Sequence, residues 1–191
     1  MTNVTEKNYA IVVFDILTSE LLKTVVNSGA KSHVIVISPW VKDYAVPITW
    51  PSFTSNFFNI TDMQTTSDIF ILLLRKGVHV TILTKDPRQL IIDNPKNPKQ
   101  AREHREFCEK IKDGGGKIHY TMGRKYNHGK LTWTSEHALI GSGNLTPGGL
   151  DPALQGNVGE LIIKSKDARS HAKKLKWALK SIEDPENEPD Q

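Results

Sequence analysis

Residues 126–161 read YNHGKLTWTSEHALIGSGNLTPGGLDPALQGNVGEL. The stretch sets a histidine, a lysine, a serine, an asparagine and a glutamate at the ends of short apolar runs. Successive side chains of an extended chain alternate faces, so His128, Lys130 and Thr132 share one. Ala138-Leu139-Ile140 is a second apolar strand, leading into Gly141-Ser142-Gly143-Asn144. Ser142 and Asn144 share a face for as long as the strand persists, and the glycines let backbone approach a ligand closely. A third run, Val158–Ile163, carries a single acid, Glu160.

An imidazole, an ammonium and an amide converging on one spot suit a phosphate ester. The imidazole can attack phosphorus or shuttle a proton. Lysine and asparagine can hold anionic oxygens. A carboxylate can fix the imidazole's tautomer and stabilise the imidazolium.

These residues carry a resemblance. His128-Gly129-Lys130, the spacer Leu131–Thr134 and Gly141-Ser142-Gly143-Asn144 resemble the HxK and GSxN signature of the phospholipase D superfamily. Glu160 stands where family members carry a glutamate, about one strand beyond GSxN. One position departs: the acid expected after the spacer falls on Ser135, with Glu136 beside it. The resemblance implies that this acid is structural and that the later glutamate partners the histidine. Upstream, Ser38-Pro39-Trp40 and the segment 75–84, RKGVHVTILT, are similar in style to family members.

The bulk properties agree with a folded enzyme domain. With 191 residues, 38% hydrophobic and 24% charged, the chain is long enough for one sizeable core. One cysteine, Cys108, cannot close an internal disulfide, and no Cys/His spacing reads as a zinc site. The N-terminus shows neither a signal peptide nor a membrane span, so a cytoplasmic location is expected. Net charge is +4, but five acids and no base fall in 183–191, which leaves residues 1–182 with +9. Such an excess permits polyanion binding. The expected organisation is one domain over 1–182 and a disordered acidic tail over 183–191.

In chain order, Tyr9–Leu17 reads as an edge strand or an early helix, and Leu21–Val26 as helix. His33–Ser38 is a buried strand, rich in branched residues and stopped by Pro39. Residues 41–61 read as a long irregular segment with aromatics on the core rim. Asp62–Lys76 is a helix stopped by Gly77, and Val78–Thr84 a second buried strand, so the two strands should pair in parallel. The three prolines of Asp86–Pro98 read as a break in regular structure. Lys99–Lys112 is a charged amphipathic helix ended by Gly114-Gly115-Gly116, with His104 expected at its surface. Lys117–Thr121 is a third strand, and Asp167–Ile182 a basic helix.

The expected fold is therefore α/β, a mixed, largely parallel sheet with helices on both faces. Gly123–Lys130 lacks the spacing of a phosphate-binding loop, and Gly141-Ser142-Gly143 is not a nucleophile elbow. The expected catalytic residues are His128, Lys130, Asn144 and Glu160, with Lys130, Ser142, Asn144, Arg124 and Lys125 holding substrate. No metal or other cofactor is called for, since histidine and lysine replace its Lewis-acid role. The chain has a single HxK followed by GSxN, so a homodimer supplying two histidines to one phosphorus is the simple remedy. Family members of this short, single-motif kind resemble nucleases, which implies a DNA endonuclease, single- or double-stranded, in a restriction or defence setting. A separate protein would then supply base specificity, and no membrane is involved. A phospholipid hydrolase or phosphatidyltransferase is the alternative among enzymes, and a catalytically silent nucleic-acid-binding module the alternative outside them.

Overall fold

The structure is a computed structural model and describes residues 2–3, 9–26, 32–45, 65–121, 130–140, 143–146 and 161–164. Strands β1 (Thr2–Asn3), β2 (His33–Ile37), β3 (His79–Lys85), β4 (Lys117–Thr121), β5 (Leu131–Thr134), β6 (His137–Ile140) and β7 (Leu161–Lys164) form one sheet in the order β1-β7-β6-β5-β2-β3-β4. Helices α1 (Tyr9–Val26), α2 (Thr66–Arg75), α3 (Pro87–Asp93) and α4 (Pro98–Asp113) join it.

The sheet is mixed, as expected, and β2 and β3 pair in parallel across α2. The balance differs from the expectation of a largely parallel sheet. Only β2–β3 and β3–β4 are parallel, whereas β1–β7, β7–β6, β6–β5 and β5–β2 are antiparallel. The reason lies in the connection lengths. A parallel pair needs a crossover long enough for a helix, and β2–β3 and β3–β4 have helices between them. Two residues separate β5 from β6, which forces a hairpin.

Tyr9–Val26 is one continuous helix, which decides for helix between the two readings of Tyr9–Leu17. Val13, Ile16, Leu17, Glu20 and Leu21 recur at helical spacing, and all five are buried. Two of the three prolines of 86–98, Pro87 and Pro98, start helices, and Pro95 lies in the turn between those helices. Asp86 accepts the backbone N–H of Arg88 at 2.7 Å and caps α3, with Pro87 in its first turn. Asn97 caps α4 in the same way, followed by Pro98. A missing N–H costs nothing at the first helical position. Thr65 and Asp68 form a capping box at the start of α2. Gly77 (φ 81°) and Gly115 (φ 94°) stop α2 and α4 in the left-handed region, as the glycine positions suggest.

In register, Val34 and Val36 of β2 share a face with Val80 and Ile82 of β3. That face packs on Val13, Leu17 and Leu21 of α1, on Ile69, Phe70 and Leu73 of α2 and on Phe107 and Ile111 of α4. Phe70 and Phe107 meet edge to face, 6.1 Å between ring centroids. Ile37, Leu83, Leu131, Trp133 and Ala138 alternate onto the opposite face and are buried there too. His33 packs edge-on to Trp133 at 5.7 Å.

His104 is not at the surface. It is fully buried on the stripe Ala101, His104, Phe107, Cys108 and Ile111, which faces the core. The charged residues Arg102, Arg105, Lys110 and Lys112 of the same helix are exposed, as expected.

Candidate active site

Strand direction decides where the chemistry gathers. β2 and β3 run the same way and end together. β5 is antiparallel to β2, so Leu131, its first residue, sits opposite Ile37. Ile140, the last residue of β6, pairs with Leu131, and Leu161, the first of β7, pairs with Ile140. One sheet edge therefore holds Ser38, Lys85, Lys130 and the chain leaving β6 towards Asn144.

Ser38 binds that chain directly. Its Oγ donates to the carbonyl of Trp40 at 2.6 Å and accepts the N–H of Leu145 at 2.9 Å. Lys42 donates its N–H to the Leu145 carbonyl at 3.1 Å, and Val41 and Leu145 form an isolated parallel bridge. Asn144 is thus held one residue before a doubly tied position. A further bond closes its local turn, from the N–H of Thr146 to the Asn144 carbonyl at 2.8 Å. The Asn144 Oδ1 and the neighbouring Trp40 Nε1 are buried, and neither has a hydrogen-bond partner among the described residues.

Lys130 is half-buried immediately before β5. Burial lowers its pKa, and the positive charge of Lys85 lowers it further. Two ammonium groups near one another favour a site that receives an anion. Lys85 is oriented by Asp93 of α3, with 2.7 Å between Nζ and the carboxylate. Asp86, the next residue, accepts Arg88 Nη2 at 2.7 Å, and this pairing lowers its pKa.

His104 fastens this edge from behind. Its Nε2 lies 2.9 Å from the carbonyl of Lys85, and its Nδ1 accepts the N–H of Val41 at 3.1 Å. Burial lowers its pKa, which matches a neutral ring donating from Nε2 and accepting at Nδ1. The signal was present in the sequence. His104 stands three residues after Ala101 and three before Phe107, on the apolar side of its helix.

Lys130 and Asn144 are the expected site residues that the structure describes, and it brings both to one edge. His128, Glu160, Ser142, Arg124 and Lys125 lie outside the described residues, as do 183–191 and the basic helix expected over 167–182. Ser135, where the family pattern has an acid, is described. Its hydroxyl lies 2.8 and 2.7 Å from the two carboxylate oxygens of Glu20, and its N–H donates to Glu20 Oε2 at 3.1 Å. A carboxylate from α1 thus reaches the residue that lacks one.

Comparison with known proteins agrees with this geometry. Residues 46–179 match the family model described as cardiolipin synthase, phospholipase D-like domain. Among solved structures, the chain is similar in fold to the polyphosphate kinase from Porphyromonas gingivalis, with a TM-score of 0.54 and 14% identity. That likeness covers 100% of this chain and 26% of the kinase, so the chain spans about a quarter of the kinase's length. No curated protein sequence matches the chain.

Proposed function

Because the chain belongs to the phospholipase D-like domain family, we propose that it is a metal-independent phosphodiesterase cutting DNA in a site shared by two copies. The family places it among phosphoryl-transfer enzymes. The observation that carries the narrower reading is the convergence of Lys130 and Asn144 on one sheet edge of a chain in which one HxK alone, His128-Gly129-Lys130, is followed by GSxN. Two-step phosphodiester chemistry needs a nucleophile and a separate acid, and one His128 cannot be both at once.

An imidazole nitrogen of His128 attacks phosphorus and forms a P–N bond as the P–O bond to the leaving group breaks. The partner's His128 gives that oxygen a proton. The same imidazole then takes a proton from water, which attacks phosphorus and releases His128. Lys130 and Asn144 of both copies hold the non-bridging oxygens while charge builds on them. Glu160 orients the imidazole, Ser142 adds a hydrogen bond to phosphate, and Arg124 and Lys125 meet the neighbouring backbone. The +9 excess of residues 1–182 favours a polyanion as substrate. The setting is a cytoplasmic restriction or defence system, with base specificity supplied by another protein.

One observation favours a second reading, in which the phosphodiester belongs to a lipid. Ile91 and Ile92 are 41% and 70% exposed on α3. α3 begins where β3 ends, and α4 must start at the same edge to return for β4. The two isoleucines therefore stand beside the catalytic edge, with Arg88, Lys96 and Lys99 exposed nearby. A lipid surface would accept that combination.

Plasmid DNA, single-stranded DNA and anionic phospholipid vesicles, each incubated in EDTA with wild type and His128→Ala, separate the readings. DNA cleavage that persists in chelator and is lost in the variant is the expected result. Lipid hydrolysis without DNA cleavage selects the second reading. Binding of DNA without any cleavage selects a silent binding module.

A further inference from the structure

We propose that Glu20 is a positioning residue that locks the register of the hairpin carrying Lys130; its activity arm rests on the phosphodiesterase reading above. Pairing of Trp133 with Ala138 leaves Thr134 opposite His137, and Ser135-Glu136 as a two-residue connection. Two-residue hairpin loops favour glycine or asparagine because their turns demand positive φ. Ser-Glu offers neither, so the loop's own chemistry specifies this turn weakly. Thr134 helps, since its Oγ1 accepts the N–H of His137 at 3.1 Å.

The remaining support comes from a distant part of the chain. Glu20 is only 2% exposed and 115 residues away in sequence. It accepts both the N–H and the hydroxyl of Ser135. Lys23, one helical turn on, donates to the same hydroxyl at 2.6 Å and meets Glu136 Oε1 at 3.3 Å. Both loop residues are thereby tied to α1, which is itself fixed in the core by Val13, Ile16, Leu17 and Leu21. A buried carboxylate with these partners can hold one loop conformation and reject its neighbours.

The consequence reaches the site along β5. A slip of one residue moves every side chain of a strand to the other face. Lys130 immediately precedes β5, so the loop at the far end of this four-residue strand sets the face on which Lys130 emerges. Here the carboxylate that holds the hairpin comes from α1, and its hydroxyl partner is in the loop. The hydroxyl–carboxylate contact is therefore transferable: a glutamate at 135 with a serine at 20 spans the gap with the same number of side-chain atoms from the opposite side, while the bond from the N–H of residue 135 is not regained.

That exchange is the test. Wild type, Glu20→Ala, Glu20→Gln and the double variant Glu20→Ser/Ser135→Glu are compared by thermal unfolding and by hydrolysis of bis(p-nitrophenyl) phosphate in EDTA. Glu20→Ala is expected to unfold at lower temperature and to lose about tenfold in kcat with KM little changed, the scale of one lost charge-assisted hydrogen bond. Glu20→Gln falls between it and wild type. The double variant is expected to recover most of both losses, which a simple packing role for Glu20 would not allow. Unchanged kcat and unfolding temperature in Glu20→Ala, or no recovery in the double variant, overturns the proposal. If Glu20→Ala does not fold, the double variant alone decides, by folding and turning over or by failing to. Wild type without hydrolysis of any phosphodiester counts against the enzyme reading, and the unfolding series then still decides whether Glu20 locks the loop.

Discussion

The imidazole of His104 joins the end of β3 to the segment that follows β2: Nε2 lies 2.9 Å from the carbonyl of Lys85, and Nδ1 lies 3.1 Å from the N–H of Val41. The ring is fully buried, the bond to Val41 is buried and the bond to Lys85 partly so, so water replaces these partners poorly. His104→Phe keeps a ring but removes the partner of a buried donor and of a partly buried acceptor. The expected cost is roughly 3 kcal/mol, from about 1–3 kcal/mol for each unsatisfied group, read as a shift of the urea midpoint.

The same contact makes stability depend on pH. Burial lowers the His104 pKa in the folded chain, so the unfolded chain binds the proton more readily. The contribution is complete above the unfolded value of about 6.5 and is lost as pH falls from there towards the folded value. Urea unfolding between pH 7.5 and pH 5 checks this. Wild type should lose stability on acidification more steeply than His104→Phe over that interval, and equal slopes would assign the effect to other groups.

Lys130 is expected to act as an ammonium, and burial together with the charge of Lys85 lowers its pKa. Activity should therefore fall on the alkaline side at lower pH than a free lysine would give. Lys85→Gln removes the repelling charge and leaves Lys130 in place. Its alkaline limb in a kcat/KM profile should move to higher pH, whereas an unmoved limb would mean that another group is titrating.

Ser38 Oγ accepts the N–H of Leu145 and so fixes the residue after Asn144. Ser38→Ala leaves that N–H buried without this acceptor, at a cost of about 1–3 kcal/mol. The change also loosens Asn144, whose amide the proposed function offers to phosphate. A melt should show the stability loss, and kinetics should show kcat falling more than KM rises, because the amide is needed most as charge develops.

The sequence made the strands legible where branched residues run together, as in His33–Ile37 and His79–Lys85, and the helix stops legible at Gly77 and Gly115. It also marked Lys130 and Asn144, whose shared edge follows from strand direction. The start of α3 is hard to read because prolines signal breaks, although Asp86-Pro87 is a cap followed by a first-turn proline. The charges of its helix hide the position of His104 on the apolar stripe. Glu20 could not be found from the motif at all. Its partner is 115 residues away, and only the packing of α1 against the hairpin brings the two together.

The central claim is a covalent bond between phosphorus and His128 formed without a metal ion. Incubating wild type and His128→Ala with phosphate-labelled oligonucleotide in EDTA, then quenching and separating the protein under denaturing conditions, tests it most directly. Label that travels with wild-type protein, survives alkali, is released by acid and is absent from His128→Ala is the predicted result. Cleavage that requires added magnesium, or that proceeds in His128→Ala with no label on the protein, would contradict it.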